Sequence, residues 1–265
     1  MSIHAKSFTY NGKNSFSDFN LILAGTDSES AGINMTLAKS ELSQYRNTTT
    51  LWSRKYADVL QFDLFLMKCD GSPFNQKEAR EITSWISSPI TYREFTIQEF
   101  EENDYHNDIF YYAICTKCDP YRPMHPSMVN GFSCHFECNS AYGFSAIKTV
   151  NFGSESNSTI NVTIENDDAE TDIYPNILIV PGETGKIEIS NSLYPEEVLS
   201  LSVTRDNELK VDCNKGIITD FAQVFDYETD SNLYWIHLAN GQNTINVNGN
   251  CSGSISYREP RMVMI

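Results

Sequence analysis

Between Val59 and Gly71 the chain alternates cleanly. Leu60, Phe62, Leu64 and Leu66 fall on one face, Gln61 and Asp63 on the other. This is the period-two signature of a half-buried strand, closed here by the Asp70-Gly71 turn. The period then changes. From Asn75 onward Ala79, Ile82 and Ile86, with Trp85 beside them, form one apolar stripe, while Lys77, Glu78, Arg80 and Glu81 point away. Asn75 and Glu78 stand three apart, the spacing at which each side chain accepts from an orphan N–H of the first turn. Pro89 stops the helix and biases Ser88 out of the helical region. The pattern therefore predicts a helix over 75–87, the only well-formed one in a chain otherwise patterned for strands. An amphipathic helix among strands has to lie on a sheet to bury its stripe.

Around this segment the first half reads as strands. SFTYNGKNSFSDFNLILAG predicts a strand, a two-residue Asn11-Gly12 turn and a second strand, because Asn-Gly supplies the positive φ angles such a turn needs. Residues 26–50 are polar, and Gly32 to Ser43 fits strand, hairpin or loop equally well. Thr91–Ile97, Phe110–Cys118 and Gly131–Cys138 read as further strands. The last two are joined by DPYRPMHPSMVN, whose three prolines exclude regular structure.

After Tyr142 the texture changes. No helical period recurs, and short strand candidates follow at Thr159–Ile164, Asn176–Val180, Lys186–Ser190, Val198–Thr204, Glu208–Asp212, Leu233–Leu238, Thr244–Val247 and Ser254–Tyr257. Turn pairs punctuate them: Pro181-Gly182, Lys215-Gly216, Asn240-Gly241 and Asn248-Gly249. Short strands at this spacing predict a β-sandwich, with a domain boundary near 140–148. The expected fold is mainly β: an N-terminal half of strands with one helix lying on a sheet, not a pure β-sandwich, then a C-terminal β-sandwich.

The 265-residue length accommodates two domains, and 40% hydrophobic residues suffice for folded cores. No apolar run approaches the ~20 residues of a membrane-spanning helix. The N-terminal MSIHAKSFTYNGKNSF carries no apolar leader pattern, which points to a cytoplasm. Seven cysteines without a scaffold spacing read as reduced thiols. The net charge of −16 is uneven: residues 1–142 hold 12 basic and 17 acidic residues, net −5, and residues 143–265 hold 7 and 18, net −11. Such a surface repels phosphate backbones and argues against sequence-specific nucleic-acid binding.

Several groups of residues could carry chemistry. Cys115-x2-Cys118 and Cys134-x3-Cys138, with His125 and His135 nearby, raise a structural zinc site. Strict alternation argues against it, because Cys115 and Cys118 then face opposite sides of their strand while Cys134 and Cys138 share a core face with Phe132 and Phe136. Buried thiols are the expectation. Glu99, Glu101, Glu102, Asp104 and Asp108 could supply an acid/base pair, yet such acidic stretches are ordinarily solvated. Asp167, Asp168, Glu170 and Asp172 lack the glycine turn and terminal glutamate of a calcium loop. Trp235 could stack on a sugar, but beside Ile236 and Leu238 it reads as packed. No nucleophile elbow, zinc-protease helix, phosphate loop or dinucleotide fingerprint occurs. Neither an enzyme, nor a cofactor, nor a metal or catalytic residue is expected.

Three segments of the first half, FTYNGKNSFSDFNLIL, FDLFLMKCDGSPFNQKEAREITSWI and YYAICTKC with GFSCHFECNSAYGFS, resemble the N-terminal half of distal tail proteins of long, flexible-tailed bacteriophages. ILIVPGETGKIEISN and WIHLANGQNTINVNGNCSGSISYREPR resemble their C-terminal half, so the match runs in order through nearly the whole chain, residues 26–50 and 262–265 excepted. The resemblance implies a ring-forming N-terminal domain over 1–142, a β-sandwich with a helix and an extended hairpin. It implies a galectin-like C-terminal sandwich over 143–265. Six copies would close into a ring, a hub joining the tail tube to the tail tip or baseplate. Its partners would be the tail tube protein, the tail-tip protein and receptor-binding proteins, in a virion tail assembled in the host cytoplasm. Galectin sugar sites use a His-x-Asn-x-Arg run that does not occur here. The competing function is a carbohydrate-binding module or adhesin acting through the C-terminal sandwich.

Overall fold

The structure is a computed structural model describing residues 5–23, 35–42, 49–56, 59–99, 108–123, 128–153, 157–165, 172–203, 208–220, 226 and 230–262. The chain forms two compact units, Met1–Phe144 with Met262–Ile265, and Ser145–Arg261.

In the first unit β1 (Ala5–Tyr10) and β2 (Lys13–Asn14) flank the Asn11-Gly12 turn, whose φ angles of 48° and 74° are the left-handed pair expected of Asn-Gly. The expected second strand then breaks off after two residues. Asn14 caps a five-residue helix α1 (Ser15–Phe19), its side chain accepting from the N–H groups of Phe16 and Ser17. Asn20, at φ 54°, ends that helix and starts β3 (Leu21–Leu23). So short a helix leaves no periodic trace, and only its cap marks it. β4 (Met35–Leu42) and β5 (Thr49–Tyr56) pair as a two-stranded antiparallel hairpin, which resolves the open reading of the 26–50 region in favour of strand over 35–42.

β6 (Gln61–Lys68) shows the expected alternation, with Phe62, Leu64 and Leu66 buried. The helix α2 (Gln76–Ser87) follows its N-cap Asn75, and both halves of the capping box are made: Asn75 Oδ1 accepts from the Glu78 N–H at 2.9 Å, and Glu78 Oε2 from the Asn75 N–H at 2.8 Å. Ile82, Trp85 and Ile86 are buried, as the stripe required. Glu78 does not point away; it turns onto Lys68 at 2.7 Å. β7 (Arg93–Glu99), β8 (Phe110–Tyr121), β9 (Gly131–Cys138) and the short β10 (Gly143–Phe144) complete the unit. β8 runs three residues beyond its expected end, through Pro120. Residues 119–121 pair with β9 there, so the prolines of the 119–130 segment do not exclude strand at its start.

The sheet order is β2-β1-β7-β8-β9-β6-β3, antiparallel throughout, with β10 pairing to β8. It folds over on itself. Phe62 of β6 stacks on Phe95 of β7 at 5.4 Å, although two strands separate them in the sheet.

The second unit is a two-sheet sandwich. Its strands are β11 (Lys148–Phe152), β12 (Asn157–Ile164), β13 (Asn176–Pro181), β14 (Gly185–Asn191), β15 (Val198–Val203), β16 (Leu209–Asp212), β17 (Ile217–Asp220), β18 (Gly241–Asn248), β19 (Cys251–Tyr257) and the short β20 (Pro260–Arg261). One sheet runs β11-β19-β13-β16-β17, the other β12-β18-β14-β15. Alternate residues of both face one shared core, led by Ile179, Ile189, Leu199, Leu201 and Ile245.

Seven of the eight strand expectations in this half correspond to strands. The eighth, Leu233–Leu238, does not: Leu233 sits at φ 58°, a left-handed conformation no strand contains, and only Leu238 bridges, to Ile173. β11, β17 and the two-residue β20 were not among the expected strands. Gly253 marks the closest approach in the β19–β13 contact: a Cβ there would run into the Leu178 carbonyl oxygen and lie 2.6 Å from the Phe152 ring.

Candidate functional site

Three thiols meet on the core face of the first unit. The alternation argument put Cys115 and Cys118 on opposite faces, and the structure corrects it. A β-bulge at Thr116 inserts one residue, so that Cys115 lies opposite Phe136, Lys117 opposite His135 and Cys118 opposite Cys134. Directly opposed residues point the same way, and Phe136 and Cys134 both face the core. The bulge therefore returns Cys118 to the face that Cys115 already occupies.

The Cys134 thiol donates to Cys118 Sγ at 3.7 Å, and Cys115 donates to the Lys117 carbonyl at 3.1 Å. Hydrogen bonding from Cys134 draws the Cys115 and Cys118 thiols below their ordinary range, and the same bonds, with burial, push Cys134 up. Cys118 also meets Ser87 at the end of α2. Cys138 stands apart, pushed up to about 12 by burial. His135 faces the other side of the sheet, 2.7 Å from Asp63. His125 lies outside the described residues. No group of three or more His, Cys, Asp or Glu side chains able to hold a metal occurs among the described residues.

Next to this cluster, α2 and the β8–β9 hairpin enclose a groove of about 400 Å³. Val129 and Phe132 supply its apolar lining, Pro120 one wall, and Arg80 and Arg122 its charge. On the core side of α2, Trp85 stacks on Phe8 and Phe19, at 5.5 and 4.5 Å, and its indole N–H donates to the Tyr10 carbonyl at 2.9 Å.

The second unit has two polar centres that strand patterns do not announce. Glu259 is fully buried and is held by Lys148 at 2.8 Å, Arg261 at 2.7 Å and the Glu165 N–H at 3.1 Å. Lys148 lies 111 residues away in sequence, so no local signal could pair them. His237 is also buried, with Nδ1 3.1 Å from Glu197, Nε2 3.9 Å from Asp172 and the Tyr194 ring 3.9 Å away. Asp172 thus serves as a histidine neighbour. Its former companions Asp167, Asp168 and Glu170 lie outside the described residues, as do Glu101, Glu102 and Asp104. Glu99 ends β7, and Asp108 is exposed. Trp235 packs against the core, and a Cβ on Gly216 would lie 3.3 Å from its ring. It is half-buried and not a free stacking platform.

The first unit is thus a folded-over sheet with α2 lying on it, and the second an aliphatic two-sheet sandwich. Residues 3–140 match the model of a phage tail protein N-terminal domain and residues 142–257 that of a phage tail C-terminal domain, so the chain belongs to this family. Among solved structures it is similar to the Dit protein (gp 19.1) of phage SPP1, described as a paradigm of the hub adsorption apparatus in phages infecting Gram-positive bacteria. The TM-score is 0.60 at 11% identity, covering 96% of this chain and 98% of that one. It is also similar to a chain of the phage p2 baseplate in its activated conformation with Ca, with a TM-score of 0.52 at 8% identity over 97% and 99% of the two chains. No curated protein matches. Among the described residues no helix is long and apolar enough to cross a membrane.

Proposed function

We propose that this phage tail protein is the hub of the distal tail, closing as a hexameric ring that joins the tail tube to the tail tip or baseplate and anchors tip or receptor-binding proteins. The observation that carries this reading is the continuity of the structural likeness. Both units match SPP1 Dit in one alignment over 96% of this chain, which favours a whole-protein equivalence over a shared module. In this reading residues 1–142 form the ring and 143–265 project from it. The protein is a scaffold without enzymatic activity, assembled in the host cytoplasm. The net charge of −16 supports a ring that lets nucleic acid pass, since basic walls retain phosphates.

The test is electron microscopy of the purified chain, alone and co-expressed with the tail tube and tail-tip proteins of its own gene cluster. Closed six-fold rings bound at one face to tube protein are expected. A strict monomer that engages neither protein at high concentration would overturn the reading.

A further inference from the structure

We propose that Cys118 and Cys134 are a disulfide-forming pair that staples the β8–β9 hairpin beneath the groove once the protein leaves a reducing environment. The geometry is already close to that of the product. The two residues are directly opposed in an antiparallel ladder, and their sulfurs are 3.7 Å apart. Directly opposed residues have Cα atoms ~4.5–5.5 Å apart, inside the span a disulfide bridges, so side-chain rotation suffices. On the next rung Pro120 opposes Phe132, and both line the groove. The staple would therefore fix the strands from which the groove is built.

The two thiols divide the work. Cys118 is half-buried at the end of α2, within reach of a small reagent, whereas Cys134 is almost fully buried. Hydrogen bonding from Cys134 favours the Cys118 thiolate, which is the attacking species. With a low-molecular-weight disulfide such as oxidised glutathione, Cys118 Sγ attacks one reagent sulfur. The reagent S–S bond breaks, and one glutathione leaves as a thiolate. Cys134 then loses its proton to that thiolate and attacks Cys118 Sγ, displacing the second glutathione, which takes up the proton Cys118 released. Two protein thiols are oxidised to one disulfide, and one oxidised glutathione is reduced to two thiols. Cys115 also meets Cys134 and is the near competitor, but on the ladder it lies opposite Phe136 and its own thiol is directed to the Lys117 carbonyl.

A virion tail is built among reduced thiols and works outside the cell, where such a bond persists. That biological setting rests on the proposed tail function; the chemistry does not. The experiment therefore uses the isolated full-length chain, equilibrated with oxidised glutathione, quenched by alkylation and mapped by mass spectrometry, with a denatured sample as the reference for free exchange. The expected result is a single Cys118–Cys134 link that dithiothreitol reverses. It raises the thermal midpoint of the first unit by roughly 5–10 °C. The link persists in Cys115→Ser and is abolished in Cys118→Ser, whose unoxidised midpoint stays near that of the reduced parent. Full alkylation of both thiols in the folded protein would overturn the proposal, and so would a link that used Cys115 or the exposed Cys69. Ring assembly is scored separately, so a failure of the hub reading and a failure of the staple are distinguishable.

Discussion

The two units solve the same burial problem with different side chains. Among the described residues, nine buried core side chains of the first unit are aromatic: Phe8, Tyr10, Phe62, Phe74, Trp85, Phe95, Tyr111, Phe132 and Phe136. In the second unit only Phe152 and Tyr257 are, and the rest of the core is almost entirely Ile, Leu and Val. The geometry explains the contrast. A single sheet folding over itself under one helix leaves a deep, irregular interior, which large rings fill through edge and stacked contacts. Two facing sheets present regular rows in which branched aliphatic side chains interdigitate. The first unit therefore concentrates its stability in a few rings, while the second distributes it over many similar contacts.

Substitutions can break or sharpen this contrast. The largest effect is expected for Trp85→Ala, which removes the stacks on Phe8 and Phe19 and the bond to Tyr10: a loss of about 3–5 kcal/mol, read by denaturant unfolding and as faster amide exchange in β1 and α2. An unchanged β1 would show that the rings are not the keystone. Next is Glu259→Ala, which leaves Lys148 and Arg261 without their shared buried carboxylate and costs about 3 kcal/mol, seen as a lower midpoint with exchange rising in β11. This is the one place where the second unit should behave like the first, with much stability resting on one residue. A smaller loss, about 1 kcal/mol, follows Ile189→Val, because a distributed core relaxes around one missing methyl; a loss as large as that of Trp85→Ala would erase the contrast.

The smallest effect concerns pH. Bonding to Lys68, then to the Asn75 N–H, holds Glu78 below its ordinary carboxylate value of 4.5. Its contribution is therefore complete above that value and is lost as pH falls through the lower, folded-state one. Far-UV circular dichroism should show α2 weakening only in that acid window, and Glu78→Gln should flatten the dependence. Because the Glu78 side chain is 38% exposed and screened by solvent, the change is expected to be slight.

Much of this was legible from residue order. The helix, its capping box and the β6 alternation follow from local rules, and these were realised at Asn75, Glu78 and Leu60–Leu66. The failures were of two kinds. Local backbone exceptions, such as α1 after Asn14 and the left-handed Leu233, interrupt a pattern without altering its composition. Long-range meetings, such as Lys148 with Glu259, have no local signal at all. The thiol cluster failed through both: its spacing was visible, but the bulge that decides its faces was not.

That bulge has a consequence for how the chain tolerates change in length. One extra residue at Thr116 acts as a phase shifter between two stretches of β8. Tyr111, Ala113 and Cys115 keep one parity, Cys118 and Pro120 the other, and all of them reach the same side of the sheet. Deleting Thr116 would leave a regular ladder with both stretches still on that side, whereas removing a residue from either stretch, with the bulge kept, would turn part of the strand inside out. In this strand, irregularity in sequence phase is what keeps the surface continuous in space.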